Sequence, residues 1–307
     1  MVQPIKLIID TDPGVDDAVA ILMALAAPEV EVLGLTTVGG NVALARTTRN
    51  ALALLQAAGR SDIPVAKGAS RPLRGKFKYA PQFHGPGGLS HRLPEPTVGT
   101  IDSTAVQLLD DLLSKAPGDA VLVALGPLTN LARLLWERRT ALKQARNIVV
   151  MGGAVNASGN VTPKAEFNIY CDPVAAEVVL SSGLPITFVD LAACRQVAIS
   201  REQAMGLSSK HPLGRLTLDL LQGWFTKHPD RPQFEFYDPL AMAIALDPAI
   251  STVAKVDLDV GLEENDSWGE TSESGGPGEI TLPLHIDTAR FFRLLETLLE
   301  IQGLPAS

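Results

Sequence analysis

The chain has 307 residues, of which 46% are hydrophobic and 20% charged, and its formal net charge is −8. That balance supplies a sizeable core and argues against disorder, while an acidic chain without a basic stripe is poorly suited to nucleic acid, whose phosphates it would repel. Two cysteines, Cys171 and Cys194, are too few for a disulfide framework and lack metal-ligand spacing, so they read as small buried hydrophobes in a reducing compartment.

The apolar run at residues 5–9 (Ile-Lys-Leu-Ile-Ile) reads as a buried strand, and residues 18–27 read as an apolar helix. Pro13 and Gly14 force a turn between them. Asp10, Asp12, Asp16 and Asp17 therefore converge at the carboxyl end of a first strand, where open α/β sheets place their ligands. Four carboxylates this close repel one another unless a cation sits among them. An oxygen-only set points to Ca²⁺ or Mg²⁺ rather than zinc. A plainer role as helix caps would account for Asp16 and Asp17, but not for Asp10 and Asp12 as well.

Strand-like and helical patterns then alternate. Residues 30–38 read as a strand, 41–58 as a helix and 63–66 as a short strand. Further strands are expected at 121–125, 148–151, 186–189, 253–260 and 280–286, and a terminal helix at 288–301. Continuous apolar strands suit an α/β fold with an open, mostly parallel central sheet flanked by helices. No linker or break in composition interrupts residues 1–307, so a single domain is expected. The first strand begins without a cleavable leader, and the longest apolar stretch is about half a bilayer span; a soluble, cytoplasmic chain without membrane partners is the expectation.

Two stretches break the rhythm. Residues 69–98 form a long, turn-rich connection, of a length that is usually functional or disordered. Residues 208–237 set Trp224, Phe225, His228, Phe234, Phe236 and Tyr237 among prolines and charges. Those aromatics suit either ordinary core packing or a mobile wall against a flat ligand.

Polar residues recur at the expected strand ends. The turn 125–130 (Leu-Gly-Pro-Leu-Thr-Asn) can free the Leu125 carbonyl for a hard cation. The glycine-rich loop 159–168 sets out Asn160, Glu166 and Asn168, donors and acceptors suited to sugar hydroxyls. Asp238-Pro239 opens an apolar helix at 240–246, where taken alone Asp238 is only an N-cap.

In this order the segments 10–17, Thr37-Val-Gly-Gly-Asn41, His84-Gly85, 125–130, Met151-Gly-Gly153, Gly159-Asn160 with Glu166-Phe-Asn168, Asp172-Pro173 and Asp238-Pro239 resemble the inosine-uridine-preferring nucleoside hydrolases. The resemblance runs over nearly the whole chain. It implies a Ca²⁺-dependent N-ribohydrolase of nucleoside hydrolase fold, commonly a homodimer or homotetramer. It makes Asp12, Asp17, Asp238 and the Leu125 backbone oxygen metal ligands, with Asp10 in the same shell. Asp16, Asn41, Asn160, Glu166 and Asn168 fall to the ribose. Cleavage of the N-glycosidic bond passes through an oxocarbenium-like sugar, and Asp12 becomes the general base toward water.

One departure concerns the leaving base. Where studied members of the family carry a histidine that can protonate it, this chain has Tyr237. His84, which matches a family histidine, and His228 are the candidates to substitute, and Trp224 is a candidate for stacking on the base. Competing readings are a Mg²⁺-dependent phosphotransferase of the haloacid dehalogenase type, a non-catalytic ribose or nucleoside sensor, and hydrolysis of another ribosylated base. The phosphotransferase reading leaves the 159–168 loop without a role.

Overall fold

The computed structural model describes residues 4–276 and 278–305. Its centre is an eight-stranded sheet of β1 (Ile5–Thr11), β2 (Val30–Thr37), β3 (Val65–Lys67), β4 (Ala120–Ala124), β5 (Asn147–Met151), β6 (Ile186–Val189), β7 (Ser251–Val256) and β8 (Ile280–Ile286). The strands lie in the order β7-β8-β6-β5-β4-β1-β2-β3. Only the edge pair β7–β8 is antiparallel. Buried on both faces, the parallel strands are nearly pure aliphatic runs; Leu7, Ile8 and Ile9 are fully buried.

The chain runs outward from β1 to β2 and β3, then returns to β4 on the other side of β1. That reversal opens a crevice at the carboxyl ends of β1 and β4, the place where doubly wound sheets take their ligands. Asp10 pairs with Thr36 of β2 and Ala124 of β4, and the Leu125 amide donates to the Asp10 carbonyl at 2.8 Å. The backbone thereby fixes the two segments most charged with polar residues against each other.

Helices α1 (Val15–Ala26), α2 (Leu44–Ala57), α3 (Ala105–Lys115), α4 (Thr129–Glu137), α5 (Pro173–Leu180), α6 (Pro212–Lys227), α7 (Tyr237–Leu246) and α8 (Thr288–Leu299) cover the sheet. The apolar α1 packs against α6, α7 and α8, and its residues from Val15 to Ala24 are buried. No helix among the described residues is long and apolar enough to cross a membrane. Both cysteines are buried and free.

Several boundaries differ from the sequence expectation. Helix α1 begins at Val15, not at residue 18, because Asp17 Oδ2 accepts the Gly14 amide at 2.8 Å and fixes the first turn right after Pro13. The helix expected from residue 41 begins at Leu44, and Asn41 lies in the preceding turn with its side chain directed at the aspartates. The run 253–260 is two strands in different sheets. Asp257 interrupts it by accepting the amides of Gly278 and Glu279, so Leu258–Val260 pairs with Thr271–Glu273 instead. The stretch 208–237 contains the 16-residue helix α6, whose apolar face the aromatics had obscured.

Candidate active site

The acidic cluster forms because β1 ends in a turn that folds its own carboxylates back over the strand. Asp17 is the most engaged: it accepts from Thr11 Oγ1 at 2.5 Å, the amides of Asp12 and Gly14, and Asn41 Nδ2 at 3.0 Å. It therefore caps α1 and belongs to the cluster at once. Asp12 Oδ2 accepts the Asn41 amide at 2.5 Å. Asp10 Oδ1 accepts from Thr36 Oγ1 and from Asn130 Nδ2 at 2.7 Å.

Oxygen atoms of Asp16, Asp17 and Asp238 lie within 4.8 Å of one another, all three residues being buried. Asp10 Oδ2, Asp12 Oδ1 and Asp16 Oδ1 are buried without a hydrogen-bond partner. Two like charges about 5 Å apart at an effective dielectric of roughly 20 repel by about 3 kcal/mol, more than one hydrogen bond returns. Burial raises the carboxyl pKa of Asp10 to about 7 and that of Asp16 to about 6. Burial, then the charge of Asp17, drives Asp12 and Asp238 well upward. A cation reverses this penalty, and unpartnered carboxylate oxygens are the donor set a hard divalent ion takes. The residues fit such an ion. The Leu125 carbonyl keeps one lone pair for the same use after accepting Asn168 Nδ2 at 2.8 Å.

Above the cluster opens a cavity of about 370 Å³, whose lining includes Asp16, Asn41, His84, Leu125, Asn160, Glu166, Asn168, Tyr237 and Asp238. Ten of the fourteen residues singled out in the sequence thus reach it or belong to the convergent aspartates. Asp16, read from the sequence as a ribose residue, also falls within the convergent acidic group. Asp10 and Asp12 lie behind the lining, as does Asp17. Glu166 is held by the amides of Gly153, Asn168 and Ile169 at 2.9–3.1 Å. Burial nevertheless carries its pKa to about 7.

Two further expected residues, Trp224 and His228, also stay outside the cavity lining. Trp224 is 1% exposed and donates its indole N–H to the Phe83 carbonyl at 3.0 Å. It is a core residue, as the plainer reading of the aromatics allowed. His228 stacks on Trp224 at 4.6 Å, and its ring nitrogens face the carbonyls of Trp224 and Gln82. Both residues support Phe83, which does line the cavity.

His84 reaches the cavity as a neutral ring. Its Nδ1 accepts the Val15 amide at 3.2 Å, which leaves the proton on Nε2. Burial pushes its pKa down to about 4 against the opposite pull of Asp17. The Tyr237 hydroxyl is committed to Glu235 Oε2, and burial, then that carboxylate, raises its pKa further.

Gln82, Phe83, Arg195, Arg231 and Glu235 also line the cavity and were not foreseen. One signal was present for Glu235. In Phe234-Glu-Phe-Tyr237 apolar and polar residues alternate where the strand Gln233–Glu235 gives way to α7, and both phenylalanines are fully buried while Glu235 and Tyr237 line the cavity.

Residues 7–293 match the family model described as inosine-uridine preferring nucleoside hydrolase. The chain is 41% identical over 256 residues to uridine nucleosidase 1 of Arabidopsis thaliana, covering 81% of this chain and 76% of that protein. It is 40% identical over 268 residues to the pyrimidine-specific ribonucleoside hydrolase RihA of Photobacterium profundum, covering 85% of each. Its structure superposes on a plant nucleoside hydrolase, the PpNRh1 enzyme, with a TM-score of 0.90 at 35% identity, covering 98% of this chain and all of the other.

Proposed function

The chain belongs to the inosine-uridine preferring nucleoside hydrolase family, and from this we infer that it cleaves ribonucleosides to ribose and free base with Ca²⁺ held by the β1 aspartates. It is a hydrolase of N-glycosyl bonds. The observation that supports the metal is the convergence of buried Asp16, Asp17 and Asp238 oxygens within 4.8 Å. Asp12, Asp17, Asp238 and the Leu125 carbonyl would hold the ion, with Asp10 behind them. When bound, Ca²⁺ supplies the positive charge that neutralises the carboxylates and makes a nearby water more acidic.

The protein residues then do the rest. Asn41, Asn160, Glu166 and Asn168, together with Asp16, orient the ribose hydroxyls from the cavity wall. Asp12 Oδ1, unpartnered in the fold, takes the proton of the attacking water. The C1′–N bond breaks with its electron pair passing to the base, and the water oxygen bonds to C1′. The surrounding carboxylates stabilise the positive charge that develops on the sugar. His84 and Tyr237 contact the base or sugar without protonating the leaving group.

Base release from inosine, adenosine, uridine, cytidine and nicotinamide riboside, each with Ca²⁺ and with chelator, tests the reading. Chelator-sensitive turnover of any one supports it. Ribose binding without turnover of any would instead support the sensor.

A further inference from the structure

We propose that Glu235 and Arg231 read the base, selecting nucleosides whose base presents a ring N–H beside a carbonyl, as uracil does, over those presenting a ring nitrogen beside an amino group. The proposal rests on the ribohydrolase reading and adds to it the chemistry of the leaving group. The ribose residues and the aspartates account for the sugar end of the cavity. Its remaining polar lining comprises Gln82, His84, Arg195, Arg231, Glu235 and Tyr237.

Glu235 is held in place by three constraints. The strand Gln233–Glu235 pairs with Ala198–Ser200, with Ala198 opposite Glu235. The Phe236 amide donates to the Val197 carbonyl at 3.0 Å. The Tyr237 hydroxyl and Gln233 Nε2 donate to the two carboxylate oxygens of Glu235. With its one proton spent on Glu235, the Tyr237 oxygen faces a ligand only as an acceptor. This wall of the cavity therefore offers acceptors, and a base edge must answer with a donor.

Arg231 supplies the complementary donors. Its segment is anchored by Arg201, whose guanidinium donates to the carbonyls of Phe225, His228, Pro229 and Arg231 at 2.6–3.3 Å. The Arg231 guanidinium lies 5.9 Å from the centre of the Phe83 ring. A carboxylate that takes an N–H and a guanidinium that gives to a carbonyl match the adjacent N3–H and C=O of uracil. The ring N–H and carbonyl of hypoxanthine present the same pair. Cytosine and adenine place a lone pair where the carboxylate's lone pairs stand. Leaving buried polar groups unpaired or opposed is what makes hydrogen-bonding sites selective.

The same arrangement answers the absent acid. When the C1′–N bond breaks, the electron pair spreads from the uracil ring nitrogen to its carbonyl oxygens. Arg231, which lines the cavity as Arg195 does, receives it, and solvent protonates the released base afterward. The carboxylate of Glu235 opposes this charge, so it contributes recognition rather than rate.

The test compares kcat/KM for uridine, cytidine, inosine and adenosine in the wild-type Ca²⁺-loaded enzyme, Glu235→Gln, Arg231→Gln and Arg231→Lys. The wild type is also assayed on p-nitrophenyl riboside, whose leaving group departs without base recognition. The uridine-to-cytidine ratio is expected to favour uridine in the wild type and to fall at least about tenfold in Glu235→Gln, whose amide can donate to cytosine. Arg231→Gln lowers kcat on uridine more than it raises KM, and Arg231→Lys restores part of it. A wild type that cleaves p-nitrophenyl riboside but shows no preference for uridine overturns the base assignment and leaves the ribohydrolase reading standing. An unchanged ratio in folded Glu235→Gln does the same. A wild type inert on every substrate overturns both.

Discussion

The Tyr237 hydroxyl donates to Glu235 Oε2, two residues before it in the chain. A phenol whose only proton is committed to a carboxylate, and whose pKa burial and that carboxylate both raise, is a poor acid for a departing base. Tyr237→Phe should therefore keep kcat within about tenfold of wild type, whereas Asp12→Ala should lower it by roughly a thousandfold or more. Comparable losses in the two variants, each shown folded by circular dichroism, would make the phenol a catalytic group.

Asp12 owes its position to two glycines. A Cβ on Gly126 would stand 2.5 Å from Asp12 Oδ1, and one on Gly40 would press on Oδ2. Neither position leaves the carboxylate room to yield, because Oδ2 is tied to the Asn41 amide. Gly126→Ala should displace the carboxylate, weaken Ca²⁺ at least about tenfold and cost only about 1–3 kcal/mol of stability. Calorimetric titration of Ca²⁺ together with a denaturant melt decides it. Wild-type affinity in a folded variant would remove Asp12 from the metal shell.

Much of this site was legible because its chemistry is local in sequence. Asp10, Asp12, Asp16 and Asp17 lie within one strand-turn-helix, and a sharp turn after an apolar strand has few ways to place them. The parallel character of the sheet was legible in its aliphatic runs, whereas the order of its strands was not. The base end was less legible, since it is assembled from residues 82–84, 195 and 231–237, far apart in sequence and without a shared pattern. Aromatic content misled there: Trp224 and His228 resemble a ligand wall in sequence, yet α6 turns Trp224 into the core and His228 onto backbone carbonyls. The break at Asp257 was hidden as well, because an aspartate between two strands looks like one more exposed strand residue until its partners, Gly278 and Glu279, are known.

Asn130 ties three segments behind the cluster. Its Nδ2 reaches Asp10 Oδ1 at 2.7 Å and the Thr37 carbonyl at 3.1 Å, and its Oδ1 accepts the Ala69 amide at 2.8 Å. Asn130→Ala strands a buried amide and loosens a carboxylate already lacking one partner. A loss of about 2–3 kcal/mol in urea unfolding is expected. Asn130→Asp should be worse, since it adds a charge beside Asp10 and withdraws the donor. If alanine proves neutral, Asp10 is held by Thr36 alone.

Metal removal should reverse the pH dependence of stability. In the metal-free protein Asp10 and Glu166 titrate at about 7 and Asp16 at about 6, all raised by burial above their ordinary values. Between roughly pH 4 and pH 7 the folded state thus binds more protons than the unfolded state, and stability falls as pH rises through that window. The chelated protein should lose several degrees of Tm from about pH 5 to about pH 8. Ca²⁺ binds the deprotonated carboxylates, so its stabilisation grows over the same range and the gap between loaded and chelated melts widens. Thermal melts with Ca²⁺ and with EGTA across that window measure both trends. A chelated protein whose Tm climbs with pH would mean these carboxylates are content as anions in the fold, and the case for a cation among them would fail.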